Sequence, residues 1–245
     1  MTAVPLHLIL LAGGAGLRAR REDDQPPKQF TLVDGRPLLA RPLAALAAAR
    51  GVAAVVVVCA APWRSLVTGT ARALGVEPPL LAADPGPTRT ASTWHALQVL
   101  AAHADPDPDH LVAVHDAARP FATADLLERV ADAAARHGAA VPGVPVADTV
   151  VTVGGAGATG AATGVTYLDR DALRAVQTPQ VARWELLYAA HAWAAEAGRS
   201  FTDDGGLLAA RGTPPVLVPG DPDNWKVTTA ADLALARRRL AGGTA

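Results

Sequence analysis

Cysteine is nearly absent from this sequence. The 245 residues contain one, Cys59, which excludes an intramolecular disulfide and any metal site built from clustered thiolates. An excess of charge of one sign is lacking too: 22 Lys+Arg face 23 Asp+Glu, a formal net charge of −1. There is therefore no electrostatic footprint for duplex nucleic acid or an anionic membrane surface. No run of about 20 apolar residues, the length that spans a bilayer, is free of Gly, Pro and charge. Met1-Thr-Ala-Val-Pro5 leads into a short apolar run with no basic segment before it, unlike a secretory signal. The expectation is a soluble, cytoplasmic protein with no nucleic-acid or membrane partner. With 50% hydrophobic and 18% charged residues the chain has ample material for a core, and its length suits one domain over residues 1–245.

Lysine is the other scarce residue. Of the 22 basic residues only Lys28 and Lys226 are lysine; the others are arginine. Both lie in loop-like sequence beside Pro, Asn or Asp. A compact ammonium on a flexible stem differs from a planar guanidinium as a phosphate ligand, so two lysines in an arginine-rich chain mark candidate phosphate contacts.

Continuous apolar runs occur at Leu6–Leu11, Val52–Cys59, Leu111–His115, Ala139–Val146 and Val216–Pro219. Apolar at every position rather than at alternate ones, they fit strands buried on both faces of a parallel sheet. Helical stretches lie between them at Pro37–Arg50, Arg64–Leu74, Ser92–Ala102, Ala124–His137 and Arg183–Ala197. The alternation predicts an α/β fold, a doubly wound, mostly parallel Rossmann-like sheet. A closing helix is expected over Thr229–Leu240, with Thr229 as its cap. One segment breaks the alternation. Asp148–Val153 and Val165–Arg170 are β-prone and flank the glycine-rich stretch Gly154–Gly164, which reads as an inserted β-hairpin arm at about 147–170. A lone two-stranded ribbon is at best marginally stable, so the arm needs a surface: a second copy of the chain, giving a homodimer, or its own domain.

Three loops carry candidate chemistry. Ala12-Gly13-Gly14-Ala15-Gly16-Leu17-Arg18 follows the first strand and leads to Pro27-Lys28. Glycines there let backbone N–H groups approach a phosphate, and the two cations suit a triphosphate. A dinucleotide fingerprint wants a third small residue near Arg18 and an acidic residue ending the second strand, where Cys59-Ala-Ala-Pro62 stands, which argues against a nicotinamide oxidoreductase. No Gly-x-x-x-x-Gly-Lys-Ser/Thr loop is present. Asp116 ends the third strand, where open sheets bind ligands; it can hold a metal ion or a ribose hydroxyl, or cap a turn before Pro120. Asp223 and Lys226 follow another apolar strand, and a carboxylate and an ammonium at the same sheet end can manage Mg²⁺ (or another divalent cation) and phosphate together.

Ala12–Arg18 with Pro27–Phe30, His115–Phe121, Asp148-Thr149, Asp169-Arg170, Gln177–Gln180, Thr202–Asp204 and Asn224–Thr228 resemble, in this order, the 2-C-methyl-D-erythritol 4-phosphate cytidylyltransferase family over nearly the whole chain. The resemblance implies cytidylyl transfer from CTP to this polyol phosphate, with release of pyrophosphate, in the non-mevalonate isoprenoid pathway. It implies that Ala12, Gly13, Gly14 and Gly16, with the Gly86–Ser92 segment that includes Arg89, embrace the cytidine. Arg18 and Lys28 would bind the triphosphate, and Lys226 the same α-phosphate. Asp116, Arg119 and Thr178 would hold the second substrate, joined by Thr149 and Arg170 from the partner's arm. The chain departs from the family pattern at Pro85-Gly86-Pro87, at Val181-Ala182 and in Leu207–Ala210. Leu11-Ala-Gly-Gly14 is also shared with ribitol 5-phosphate cytidylyltransferases, which makes ribitol 5-phosphate, or another polyol or sugar phosphate, the alternative acceptor. A catalytically silent binding protein on the same fold is the alternative outside enzymology.

Overall fold

The computed structural model describes residues 4–14, 26–156 and 162–241. Its elements run β1 (Leu6–Leu11), β2 (Leu32–Val33), β3 (Arg36–Pro37), α1 (Ala40–Ala47), β4 (Val52–Val58), α2 (Arg64–Ala73), β5 (Leu80–Ala83), α3 (Arg89–His103) and β6 (Leu111–Asp116). They continue with α4 (Ala124–His137), β7 (Ala139–Pro145), β8 (Val151–Ala156), β9 (Ala162–Tyr167), β10 (Arg174–Val176) and β11 (Gln180–Arg183), then α5 (Trp184–Glu196), α6 (Asp204–Ala210), β12 (Val216–Pro219) and α7 (Ala230–Ala241).

The main sheet has the order β10-β7-β11-β6-β1-β4-β5, with β12 beside β7. β6, β1, β4 and β5 are parallel neighbours, whereas β11 runs antiparallel between β6 and β7. The sheet is therefore mixed and mostly parallel, as the buried runs predict. The period of two explains why those runs are apolar throughout. Leu8 and Leu10 of β1 join Val55 and Val57 against α1, α2 and α4 on one face. Ile9 joins Val56, Val58, Val112 and Val114 against α3, α5 and α6 on the other. Leu8, Ile9 and Leu10 are all fully buried, each contributing about 1.5–3 kcal/mol.

Several element boundaries differ from the sequence expectation for identifiable reasons. The first helix starts at Ala40 rather than Pro37, because Asp34 and Gly35 take positive φ values of 53° and 70° and form a tight hairpin turn that pairs Leu32–Val33 with Arg36–Pro37. Helix α3 starts three residues early, at Arg89, because Thr88 caps it by accepting the Ala91 N–H at 3.1 Å. β5 and β11 are four residues each, too short and too close to prolines to stand out. Helix α7 begins as expected: Thr229 Oγ1 accepts the Asp232 N–H, and Asp232 Oδ2 accepts the N–H groups of Thr228 and Thr229. Burial raises the Asp232 pKa, but these bonds and the Thr228 hydroxyl outweigh it and lower it to about 2.

β8 and β9 form their own antiparallel sheet, with Val153 opposite Val165, and pair with no strand of the main sheet among the described residues. Both strands extend into the glycine-rich stretch beyond the expected strand ends. Val153, Val165 and Tyr167 are 57%, 46% and 74% exposed, a row of apolar side chains left uncovered. Among the described residues no helix is long and apolar enough to cross a membrane.

Candidate active site

The chain leaves β1 toward β4 and β5 on one side, then crosses to β6 on the other. This makes the carboxyl ends of β1 and β6 a switch point, where open α/β sheets bind ligands. Leu11 pairs with Val58 and with Asp116, so the ends of β1, β4 and β6 lie level. A cavity of about 640 Å³ opens there, lined by Leu11, Gly13, Gly14, Lys28, Gln29, Gly86, Pro87, Thr88, Arg89, Ser92, Asp116, Ala118 and Lys226. Its size falls in the ~300–1,000 Å³ range of small-molecule sites. Both lysines of the chain are on its wall, from opposite ends of the sequence.

The glycine loop is held from behind. Gln29 is buried and its Nε2 donates to the carbonyls of Ala12 and Gly14 at 2.6 and 2.7 Å, using both amide hydrogens. Because Gln29 belongs to the short 3₁₀ turn Lys28–Phe30, these bonds also fix Lys28 beside the loop. A Cβ on Gly13 would lie 2.5 Å from Pro85 Cβ, so only glycine lets the two loops pack this closely. Across the cavity, Ser92 Oγ accepts the Gly86 N–H at 3.0 Å and donates to the Thr88 carbonyl at 2.9 Å, holding the Pro85–Pro87 loop on the first turns of α3.

Asp116 is the electrostatic centre. Its Oδ2 accepts from Lys226 Nζ at 2.7 Å and its Oδ1 from Arg89 Nε at 3.4 Å. Burial raises its pKa, but the Arg89 and Lys226 cations outweigh this and hold the carboxyl well below the usual range. Arg89 turns Nη1 onto Asp204 Oδ2 at 2.7 Å. Behind Asp116, its N–H donates to Thr178 Oγ1 at 3.1 Å. Thr178 Oγ1 lies 3.1 Å from His115 Nδ1, and His115 Nε2 lies 3.2 Å from the Arg119 carbonyl. A carbonyl only accepts, so His115 carries its proton on Nε2 and receives the Thr178 hydroxyl proton at Nδ1. Burial lowers the His115 pKa to about 4, keeping the ring neutral at neutral pH.

The loop bearing Lys226 is stitched at several points. Gln177 exchanges two hydrogen bonds with the Asp221 backbone, and Asn224 Nδ2 donates to the Thr178 carbonyl at 2.8 Å. Arg119 Nη1 donates to the Asn224 carbonyl at 2.8 Å, and the Val227 N–H to the Ala118 carbonyl. Arg239 of α7 grips Asp223 at 2.7 Å through both carboxylate oxygens and stacks over Phe121, itself 5.0 Å from Trp225.

Of the residues singled out in the sequence, Gly13, Gly14, Lys28, Gly86, Ser92, Asp116 and Lys226 line the cavity, and Ala12 supports it through Gln29. Arg18 and Gly16 lie outside the described residues. Thr178 and Arg119 are adjacent yet absent from the wall, their polar groups turned onto His115, Asp116 and Asn224. Asp223 is not brought together with Asp116: its carboxylate serves Arg239, away from the wall, because α7 packs against that loop. Thr149 and Arg170 sit at the base of the exposed hairpin, outside this cavity; Arg170 Nη1 donates to the Ala147 carbonyl at 2.9 Å. Gln29, Asp204, His191 and Asn224 carry no role in the sequence reading, because a buried polar group that serves a backbone carbonyl or another buried side chain leaves no spacing pattern.

A family model described as 2-C-methyl-D-erythritol 4-phosphate cytidylyltransferase matches residues 6–241. The bifunctional enzyme IspD/IspF of Bradyrhizobium diazoefficiens is 38% identical over 235 residues, covering 96% of this chain and 55% of that protein. The chain spans about half the length of the curated relatives it matches. The crystal structure of 2-C-methyl-D-erythritol 4-phosphate cytidylyltransferase from Thermus thermophilus is 36% identical, with a TM-score of 0.71 over 97% of this chain and 98% of that one. A 4-diphosphocytidyl-2C-methyl-D-erythritol synthase structure from Anaerococcus prevotii has a TM-score of 0.78 at 23% identity, over 97% of this chain and 96% of that one, a likeness of fold. On the match over residues 6–241, carried by a mixed sheet with both lysines at its switch point, the chain belongs to the 2-C-methyl-D-erythritol 4-phosphate cytidylyltransferase family.

Proposed function

We propose that this chain transfers the cytidylyl group of CTP to 2-C-methyl-D-erythritol 4-phosphate and releases pyrophosphate. The observation that carries the reading is the meeting of Lys28 and Lys226 on one cavity wall beside a glycine loop. The nucleophile is an oxygen of the acceptor's phosphate monoester. Its second pKa is about 6, so it is mostly dianionic at neutral pH and needs no general base. The new bond forms from this oxygen to the α-phosphorus, and the bond from the α-phosphorus to the bridging oxygen of the leaving pyrophosphate breaks. The protein's task is to bring two anions together and stabilise the charge that develops. Lys28 and Lys226 supply that charge, with Arg18 of the first loop as a third cation.

Mg²⁺ has one carboxylate on the cavity wall, Asp116, and among the described residues no group of three metal-ligating side chains exists. This donor set fits an ion that would arrive with the triphosphate, with Asp116 as the residue that would hold it, rather than a cage made by protein. When bound, such an ion would neutralise phosphate charge.

The hairpin supports a homodimer. Its apolar side chains are uncovered, and Thr149 and Arg170 at its base do not line this chain's own cavity. We assign them to the acceptor in the partner's cavity. Replacing Arg170 with alanine is then expected to raise KM for the acceptor several-fold and leave CTP affinity unchanged. An equal loss of CTP affinity contradicts this placement. The function itself is tested by pyrophosphate release from CTP with methylerythritol 4-phosphate and ribitol 5-phosphate offered in parallel. The expected result is a kcat/KM at least about tenfold higher for methylerythritol 4-phosphate; preference for ribitol 5-phosphate, or no release with either, overturns the assignment.

A further inference from the structure

We propose that Asp204 and His191 are positioning residues for Lys226, acting through Arg89 and Asp116; this rests on the reading of the cavity as the transfer site. Neither residue lines the cavity, and their side chains are 3% and 1% exposed, so neither touches a substrate. His191 Nε2 donates to Asp204 Oδ1 at 2.9 Å, and Asp204 Oδ2 accepts from Arg89 Nη1 at 2.7 Å. Arg89 in turn meets only one oxygen of Asp116, through Nε at 3.4 Å, and the other oxygen holds Lys226 at 2.7 Å. The chain of contacts thus runs from the interior to the catalytic lysine.

Arg89 bridges two carboxylates from different nitrogens, Nη1 on Asp204 and Nε on Asp116, and the short Nη1 bond fixes the plane in which Nε is aimed at Asp116. Without this hold the guanidinium turns off Asp116 Oδ1, and the carboxylate that carries Lys226 on its other oxygen loses a cation that orients it. Asp204 is itself fixed from two sides. It opens α6 next to Asp203, whose carboxylate accepts the Gly206 N–H at 2.9 Å and Gln180 Nε2 at 2.8 Å. Gln180 Oε1 accepts the Gly205 N–H at 2.9 Å. Buried ion pairs of this kind seldom stabilise a fold more than apolar residues of the same shape; their contribution here is orientation.

The test is a double-mutant cycle on the full chain, with CTP and methylerythritol 4-phosphate as substrates and a melting curve for each variant. Asp204→Asn is expected to lower kcat by about 10²-fold, the scale for a misplaced reacting group, with KM for CTP within about threefold of wild type. Combining it with Arg89→Gln is expected to cost no more than the worse single variant, because both act through one contact. Multiplying losses, which separate structural damage produces, or a near-normal kcat in Asp204→Asn, overturn the proposal. Arg89→Lys keeps the charge but loses the planar guanidinium that reaches the two carboxylates from separate nitrogens; it decides the matter if Asp204→Asn fails to fold, since full activity there also overturns the proposal. A wild-type chain that makes no product removes the transfer reading and this proposal together, whereas active wild type with an unaffected Asp204→Asn removes this proposal alone.

Discussion

Replacing Lys226 with alanine is expected to lower kcat by about 10²–10³-fold with the fold intact, the scale for losing one preorganised charge-stabilising donor. Lys226 sits on a loop held by Gln177, Asn224 and Arg119, and none of these contacts uses its side chain, so the loop keeps its place in the variant. What disappears is an ammonium 2.7 Å from Asp116 on the cavity wall. The Lys226 side chain is 37% exposed, so its removal leaves no cavity in the core and melting should shift little. Asp116 keeps Arg89 as a cation partner. Steady-state kinetics with a melting curve check this; near-normal turnover in a folded variant contradicts the role given to Lys226.

Lys28→Ala is expected to produce a loss of the same order in kcat, about 10²–10³-fold, by a different route. Lys28 is fixed through its neighbour: Gln29 ties the turn to the glycine loop by two short bonds, and the Phe30 ring stacks on Trp63 at 4.5 Å. The backbone therefore stays in place when the ammonium is removed. Lys28→Arg is expected to recover only part of the activity, since a planar fork does not reproduce a compact ammonium on a flexible stem. Single-turnover kinetics separate this loss in the chemical step from weaker binding. Full activity in Lys28→Arg would mean that charge alone, and not its shape, is required.

Much of the fold is legible in the sequence because burial on both faces writes itself as unbroken apolar runs, as in Leu6–Leu11 and Val52–Cys59. The parallel centre of the sheet and the cap at Thr229 follow from local pattern. β11 does not: Gln180–Arg183 is four residues long, and its antiparallel place between β6 and β7 is set by tertiary contacts. The same division holds for the site. Glycines, scarce lysines and a carboxylate at a strand end are visible because their chemistry demands those residue types. Gln29, Asp204 and Asn224 fall inside recognisable motifs, but their roles, like that of His191, are not visible, because they bond backbone carbonyls or buried side chains and nothing in their spacing marks those partners. The role expected for Asp223 fails to appear at the cavity for a related reason. The arginine that claims its carboxylate lies on α7, and that packing is written nowhere near Asp223.

The central claim, that one cation-lined cavity joins two phosphate-bearing reactants, is tested most directly by following the purified chain with CTP and methylerythritol 4-phosphate by phosphorus NMR at neutral pH. The coupled resonances of a new diphosphate diester are expected to grow in step with pyrophosphate, and both to vanish in the Lys28→Ala, Lys226→Ala double variant. Pyrophosphate growing without the diester, or undiminished diester formation in the double variant, would contradict it.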